Sequence, residues 1–340
     1  MDTFRDKKIL IVGGTGTIGK TLIRELLKQN PKVIRILSRD EHKQFEIMTY
    51  EEFEDYSKLR FLIGDVRDYD RVERAVHEID IVFNLAAMKH VPSCEYNPDE
   101  AIKTNIIGMQ NVIKAATKNN VEFVLFTSSD KAINPSNTYG ATKMLAEKLV
   151  QAANFSKGSA KTKFVAVRFG NVMGSRGSVI PLFKKQIIDS REITVTDQSM
   201  TRFMMTSIQA VNLLMDVCKK SIGGEVFVLK MPVIKLRDLA EVVIEECREK
   251  YLIKEEISIR EIGLRAGERY YEELMTEAES YDGYDLENMY VLTPSAFNKK
   301  SYEKHYVNCK KCNAENYSSH NVKPIGKECV REFLRQENII

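Results

Sequence analysis

The sequence predicts an α/β protein in which a doubly wound parallel sheet, formed by about residues 1–170, carries a smaller mixed α/β substrate-binding lobe drawn mostly from residues 171–340. Three observations predict it. Short β-branched runs alternate with amphipathic helical patterns through the first half, and parallel strands need helical crossovers that cover both faces of their sheet. A glycine-rich turn joins the first apolar run to the first helical pattern. Past residue 170 the alternation loosens into longer helical patterns and scattered short strands. That reads as a lobe on the carboxyl ends of the sheet strands, where open α/β sheets bind ligands, with the chain free to weave between the two.

The runs at 9–12, 33–37, 59–63, 81–85, 121–126 and 164–169 are the sheet strands. Between the first two, Ile18, Leu22, Ile23, Leu26 and Leu27 recur at helical spacing, and Asn30-Pro31 ends the segment. The second half gives helices near 178–189, 207–220 and 236–250 and short strands at 193–196 and 225–229. The stretch 298–323, rich in Lys, Asn, Ser and Tyr, reads as an extended excursion before a last helix at about 327–336.

With 340 residues, of which 43% are hydrophobic, there is material for a sizeable core, and the disordered and collagenous classes drop out. Lys and Arg number 51 against 48 Asp and Glu, so the net charge of +3 gives no bulk reason to expect nucleic acid as a partner; any anion site must be local. The first apolar run is far short of the ~20 residues of a membrane span, so the expectation is a cytoplasmic protein without a membrane partner. Six cysteines in a chain of this length are expected as reduced thiols. His305, Cys309, Cys312, His320 and Cys329 invite a zinc reading, but one C-x-x-C is half a site and no metal is expected.

Gly13-Gly14-Thr15-Gly16-Thr17-Ile18-Gly19 follows the first strand and opens the first helix. Glycines there allow a tight turn and let backbone N–H groups approach a pyrophosphate at the positive helix end, the Rossmann arrangement. Glycine makes up 17 of the residues, so the triple spacing of 13, 16 and 19 is expected by chance only about 0.04 times, which favours nucleotide binding over a packing turn. The next strand ends Ser38-Arg39-Asp40, with Lys43 beyond. A ribose 2′-hydroxyl calls for a carboxylate and a 2′-phosphate for Arg or Ser, so NADP is the expected cofactor; Asp40 can equally be a helix N-cap. Asp65 and Val66, after the third strand, would flank the adenine.

Ser129, Asp130 and Lys131 end the fifth strand, and Tyr139-Gly140-Ala141-Thr142-Lys143 follows. In a helix Tyr139 and Lys143 share a face, so an ammonium can lower the phenol pKa while the Ser129 hydroxyl shares its proton. Tyrosinate can then take the proton of an alcohol that loses hydride. Y-x-x-x-K alone is a weak signal; behind a dinucleotide turn and a serine-bearing strand end it is a stronger one.

At these residues the sequence resembles the extended short-chain dehydrogenase/reductases, and more narrowly the UDP-N-acetylglucosamine 4,6-dehydratases that invert C5. The resemblance spans nearly the whole chain. It rests on the glycine turn, Ser38-Arg39-Asp40-Glu41, Gly64-Asp65-Val66-Arg67-Asp68, Met88-Lys89-His90-Val91-Pro92, Glu95-Tyr96-Asn97-Pro98, Lys103-Thr104-Asn105, Ser129-Asp130-Lys131-Ala132, Asn171-Val172, Ser175-Arg176-Gly177-Ser178-Val179, Thr201-Arg202-Phe203, Arg265-Ala266-Gly267-Glu268 and Tyr317-Ser318-Ser319-His320-Asn321. Ser129 stands where the family usually has Thr, and both supply a hydroxyl. Some related dehydratases look to have Met in place of Tyr139.

The resemblance implies Lys131 as the base that removes the C5 proton of a 4-ketosugar and Asp130 as the acid for the departing C6 hydroxyl, with Tyr139, Lys143 and Ser129 serving oxidation at C4. Lys131 must then be partly neutral, which burial and cationic neighbours such as Lys89 or Lys143 would favour. The plainer reading is an exposed Asp-Lys ion pair. Ala86, Ala87 and Lys89, with Tyr139 and Lys143, are implied at the cofactor. Lys89, Asn171, Arg176, Val179, Arg202, Arg265, Glu268 and Asn321 are implied at a UDP-sugar, Arg202 and Arg265 meeting its pyrophosphate and Arg176, Val179 and Glu268 completing a uridine pocket. The expected substrate is UDP-N-acetylglucosamine and the expected assembly a homo-oligomer, for which the family suggests a hexamer. Competing readings are a nucleotide-sugar 4-epimerase, a C5-retaining 4,6-dehydratase and a non-catalytic NADP-sensing scaffold; the last would tolerate loss of Tyr139 and Lys143, which this chain keeps.

Overall fold

The structure is a computed structural model describing residues 3–51, 53, 55–175, 177–264, 268–294, 299–313 and 315–340. Six β-rich segments form the first strands: β1 (Lys8–Val12), β2 (Val33–Ser38), β3 (Leu59–Ile63), β4 (Ile81–Asn84), β5 (Phe123–Thr127) and β6 (Lys163–Arg168). They pair in parallel in the order β3-β2-β1-β4-β5-β6, that of dinucleotide-binding sheets. β4 and β5 are buried along their whole length, as expected of central strands covered on both faces, so they read as continuous apolar runs rather than alternating ones. The connections are α1 (Thr17–Leu27), α2 (Glu41–Tyr50), α3 (Tyr69–Val76), the short α4 (Val91–Tyr96) and α5 (Pro98–Ile102), α6 (Gly108–Lys118) and α7 (Thr138–Ser156), with a π-helical turn at Lys103–Ile107 between α5 and α6.

The second half continues β7 (Asn171–Val172), α8 (Val179–Ser190), β8 (Glu192–Val195), β9 (Thr201–Met205), α9 (Ser207–Lys220), β10 (Val226–Leu229), β11 (Val233–Lys235), α10 (Leu236–Tyr251), β12 (Ser258–Glu261), β13 (Glu273–Met275), α11 (Glu277–Ser280), β14 (Gly283–Asp285), β15 (Met289–Leu292), α12 (Lys299–His305), β16 (Lys310–Lys311), β17 (Tyr317–Ser318) and α13 (Lys327–Gln336). Much of it returns to the sheet. Val-Phe-Val-Leu of β10, buried at every residue, pairs in parallel with β6, and β15, β14 and β16 add antiparallel strands to complete a ten-stranded sheet. A cut at residue 170 therefore does not separate sheet from lobe.

The lobe proper is β7-β9-β11, the pair β8-β12 and helices α8, α10 and α13. Phe183, Ile187, Ile193, Leu239, Val243, Val330 and Leu334 form its own core, distinct from the core of the main sheet. The stretch expected to be extended holds α12, β16 and β17 instead. Tyr302 and Tyr306, one helical turn apart, are buried there, with their hydroxyls donating to Gly223 O at 2.6 Å and to Glu225 at 2.9 Å; that burial outweighs the polar composition around them.

Candidate active site

A cleft of about 1060 Å³ runs between the carboxyl ends of β1, β2, β4 and β5 and the lobe, at the top of the about 300–1,000 Å³ that single small-ligand sites occupy. One end is the glycine turn. Gly13 has φ +80°, and a Cβ there would lie 2.8 Å from Ala86 N, so no larger residue fits. Gly16 caps α1 with no side-chain bond, leaving the helix end to meet an anion. This bare cradle suits a dinucleotide pyrophosphate. Thr15, Thr17, Ile18 and Gly19 line it, and Thr15 Oγ1 lies 3.0 Å from Ser38 Oγ at the end of β2.

Asp40 takes the plainer of its two expected roles. Its Oδ1 accepts from Lys43 N at 3.0 Å, capping α2, and its Oδ2 pairs with Lys43 Nζ at 2.5 Å; Lys43 holds the carboxyl below its ordinary range. Arg39, mostly exposed, reaches 4.0 Å from Asp65. The Asp65 carboxylate is held at 2.7 Å by Arg67, whose hydrogen bonds outweigh burial and lower its pKa. Ser38, Arg39 and Lys43 thus stand at the cleft rim with a carboxylate already committed elsewhere. Val66, Ala86, Ala87 and Lys89 line the wall beside them. This wall is held by Asn105, which the sequence shows only as part of the Lys103-Thr104-Asn105 motif: in the π-helical turn it accepts from Met88 N at 2.9 Å and donates to Met88 O at 3.0 Å and to Thr142 Oγ1 on α7 at 2.9 Å. A π-turn often marks a functional site, but nothing in sequence spacing shows one.

At the middle of the cleft α7 packs on the turn at residues 130–132; a Cβ on Gly140 would lie 2.1 Å from Lys131 O, so this approach needs glycine. Tyr139, Ser129 and Asp130 are buried. Ser129 Oγ donates to Asp130 Oδ1 at 2.8 Å, and Lys131 Nζ donates to Asp130 Oδ2 at 2.8 Å. Burial pushes the Tyr139 phenol up to about 12, against the lowering influence of the nearby Ser129 hydroxyl and the charge of Lys131. Lys143 is buried too, donates to Thr127 O at 2.7 Å, and is pushed down to about 7 by loss of solvent. The cation that acts most on Tyr139 is therefore Lys131, where the shared helical face had suggested Lys143.

A second expectation is corrected at Lys131. Burial lowers its pKa, as expected, but Asp130 and Glu272 together outweigh burial and hold the amine firmly charged. The dominant neighbours are carboxylates rather than the lysines at 89 and 143. Glu272 was not singled out in the sequence. It is buried just before β13 with Oε1 3.7 Å from Lys131 Nζ and 3.5 Å from Arg202 Nε, and it accepts from Asn171 Nδ2 at 2.9 Å and from Phe203 N at 2.9 Å. Loss of solvent and the charge of Asp130 raise its pKa against the two cations.

On the side toward the lobe, Asn171, Val179, Arg202 and Glu268 line the cleft. Arg202 also donates to Thr201 O at 2.9 Å and Tyr270 O at 3.2 Å. Arg176 and Arg265 lie outside the described residues. Asn321 is not brought to the cleft: it is exposed and donates to Asn316 at 2.7 Å. Its motif contributes instead through Ser319, which receives Glu272 N at 2.9 Å. Cys309 and Cys312 are half-buried beside β14, and among the described residues no cluster of three His, Cys, Asp or Glu could hold a metal. No described helix is long and apolar enough to cross a membrane.

The fold, with its glycine cradle after β1 and its Ser/Tyr/Lys set on β5 and α7, is that of the extended short-chain dehydrogenase/reductases. Within that class the chain belongs to the family described as polysaccharide biosynthesis protein, which it matches over residues 9–294. Similar curated proteins include an uncharacterized membrane protein of Methanocaldococcus jannaschii, 48% identical over 98% of this chain and 96% of that protein. A UDP-N-acetylglucosamine 4,6-dehydratase (inverting) of Campylobacter jejuni is 44% identical over 86% of this chain and 84% of its own. A UDP-glucose 4-epimerase of Rickettsia bellii is 41% identical over 97% of this chain and 96% of its own. Among solved structures, Pen from Bacillus thuringiensis superposes with a TM-score of 0.90 at 50% identity, covering 99% of both chains.

Proposed function

We propose that this enzyme is a hydro-lyase acting on UDP-N-acetylglucosamine with NADP, removing water across C5 and C6 and inverting C5. The product is UDP-2-acetamido-2,6-dideoxy-β-L-arabino-hex-4-ulose, made in the cytoplasm by a homo-oligomer as an early supply step for glycan or pseudaminic acid synthesis. The observation that carries this reading is the Asp130–Lys131 pair lining the cleft beside Tyr139, its carboxylate buried and its ammonium half-exposed toward the cleft. Elimination needs an acid and a base at adjacent carbons; 4-epimerisation needs neither.

When bound, the nicotinamide would accept a hydride from C4 and give it back at C6. Ser38, Arg39 and Lys43 supply hydroxyl and cationic partners for a 2′-phosphate, the glycine cradle meets the pyrophosphate, and Tyr139, whose raised phenol pKa the positive charge of a bound oxidised nicotinamide would bring down, takes the C4 hydroxyl proton. The ion pair at 2.8 Å between Lys131 Nζ and Asp130 Oδ2 is one proton transfer away from a neutral amine beside a carboxylic acid. Those are the forms required: the amine removes the C5 proton and the acid protonates the leaving C6 hydroxyl. Return of a proton to the opposite face of C5 gives inversion. Arg202 and Asn171 are assigned to the sugar nucleotide, and Arg176 and Arg265 to its uridine and pyrophosphate by resemblance alone.

The 4-epimerase reading draws on relatives of that name. Product NMR after incubation with UDP-N-acetylglucosamine separates the two. A C6 methyl group with a 4-ketone or its hydrate supports dehydration; a product keeping its C6 hydroxymethyl group makes the enzyme an epimerase.

A further inference from the structure

The charged groups in the middle of the cleft form a chain: Asp130, Lys131, Glu272, Arg202. Asp130 Oδ2 lies 2.8 Å from Lys131 Nζ, Glu272 Oε1 lies 3.7 Å from the same Nζ, and Arg202 Nε lies 3.5 Å from Glu272 Oε1. Two anions and two cations balance. Glu272 does more than fill space, since it is the one member touching both the pair assigned to elimination and the arginine assigned to the diphosphate. Its remaining partners are neutral: Asn171 Nδ2 at 2.9 and 3.0 Å from β7, Phe203 N at 2.9 Å from β9, and the Ser319 hydroxyl against its own backbone N–H. The charges that face it are Asp130 and Lys131 from the turn after β5 and Arg202 from β9.

Resting on the assignment of Arg202 to a diphosphate, we propose that Glu272 is a proton-uptake switch coupling nucleotide binding to the state of Lys131. A diphosphate entering the cleft draws the Arg202 guanidinium to itself. Asp130, Lys131 and Glu272 are then left with a net charge of one negative, with both carboxylates buried, a costly state. Glu272 relieves it by taking one proton from solvent onto a carboxylate oxygen. Lys131 then faces one anion instead of two, and its proton can pass to Asp130, leaving amine and acid ready. Every proton is accounted for: one enters from solvent to Glu272, and one moves from Lys131 Nζ to Asp130. Glu272 is thus a positioning residue that acts through Lys131 without touching the reacting carbons. Before substrate arrives the base stays capped, which keeps the amine from reacting idly.

The test is calorimetric titration of the NADP-loaded enzyme with UDP, in buffers of different ionisation enthalpy, for the wild type and for Glu272→Gln. The amide keeps the size and the acceptor for Phe203 N but takes no proton. Any proton change on the UDP phosphate itself is common to both proteins, so the difference is the readout. Uptake by the wild type should exceed that of Glu272→Gln by close to one proton per site, and the alkaline fall of kcat/KM for the wild type should move to higher pH in the variant. Arg202→Met, titrated at UDP concentrations that saturate its weakened site, supplies a second arm: with the cation gone, Glu272 is protonated before ligand arrives, and the uptake per bound UDP seen in the wild type should vanish. Equal uptake by the wild type and Glu272→Gln, or full uptake by Arg202→Met, overturns the switch. No heat on adding UDP to the wild type overturns it as well, since the switch requires a bound diphosphate. These outcomes are separate from the reaction proposed above, which fails only if the product NMR shows no C6 methyl group.

Discussion

Replacing Lys143 by Met should make the ligand-free protein more stable. Lys143 is 3% exposed, and burial takes its pKa from 10.5 down to about 7, with Glu147 working only weakly against it because that carboxylate is bound to Arg168 at 2.7 Å. The folded-state pKa lies below the unfolded one, so the unfolded chain binds more protons between these two values and stability rises with pH across that window. Below it both states are protonated and the full penalty applies; above it the penalty is gone. The resulting cost of keeping the lysine is about 4 kcal/mol at pH 7 and about 2 kcal/mol at pH 9. Met removes that cost but also the hydrogen bond to Thr127 O, worth about 1 kcal/mol. Lys143→Met should therefore gain about 3 kcal/mol at pH 7 and about 1 kcal/mol at pH 9. Urea denaturation of both proteins at the two pH values measures it. A variant that is less stable at pH 7, or a difference that does not shrink as pH rises, refutes the account of Lys143 as a lysine held partly neutral by burial.

Arg39→Asp should weaken NADP far more than NAD, because it removes a phosphate partner and adds a repelling charge at the end of β2; equal losses in a fluorescence titration with both dinucleotides would remove the reason for preferring NADP. Lys131→Ala should block elimination by at least a hundredfold while C4 oxidation still shows as slow NADPH absorbance, whereas Tyr139→Phe should suppress both; normal dehydration by Lys131→Ala would take the C5 base away from that residue. Zinc in the purified protein should be far below one per chain, and stoichiometric zinc by atomic emission would return Cys309 and Cys312 to the set of ligands.

What could be read from the sequence was what lies close together in the chain. The glycine turn needs only strand, glycines and helix in succession, and the Tyr139–Lys143 spacing needs only one helix. The six strands of the first half show as apolar runs because parallel strands are buried on both faces. β10 shows the same signature but gives no sign that it joins the far edge of that sheet, since its register partners on β6 lie 60 residues away. The electrostatics of the site were legible least. The sequence suggests other lysines easing Lys131 toward neutrality, yet two carboxylates hold it charged: Asp130, its neighbour in the chain, acts most, and Glu272, 141 residues further on and on a different element, adds to it. Lys143 shares a helix face with Tyr139, but its length carries the ammonium to the β5 carbonyl of Thr127, a destination set by tertiary packing. Asp40 was ambiguous because a ribose ligand and a helix cap use the same residue type at the same place; the cap is decided by the backbone of α2.

The central claim is that one hydride leaves C4 and returns at C6 while the C5 proton is exchanged by the pair Asp130–Lys131. It is tested most directly by running UDP-N-acetylglucosamine deuterated at C4 in ordinary water, and the unlabelled sugar in heavy water, and locating deuterium in both products by NMR. The account predicts the C4 label at C6 in the first and solvent deuterium at C5 in the second. A C4 label lost to water, or a C5 position that keeps its original hydrogen in heavy water, contradicts it.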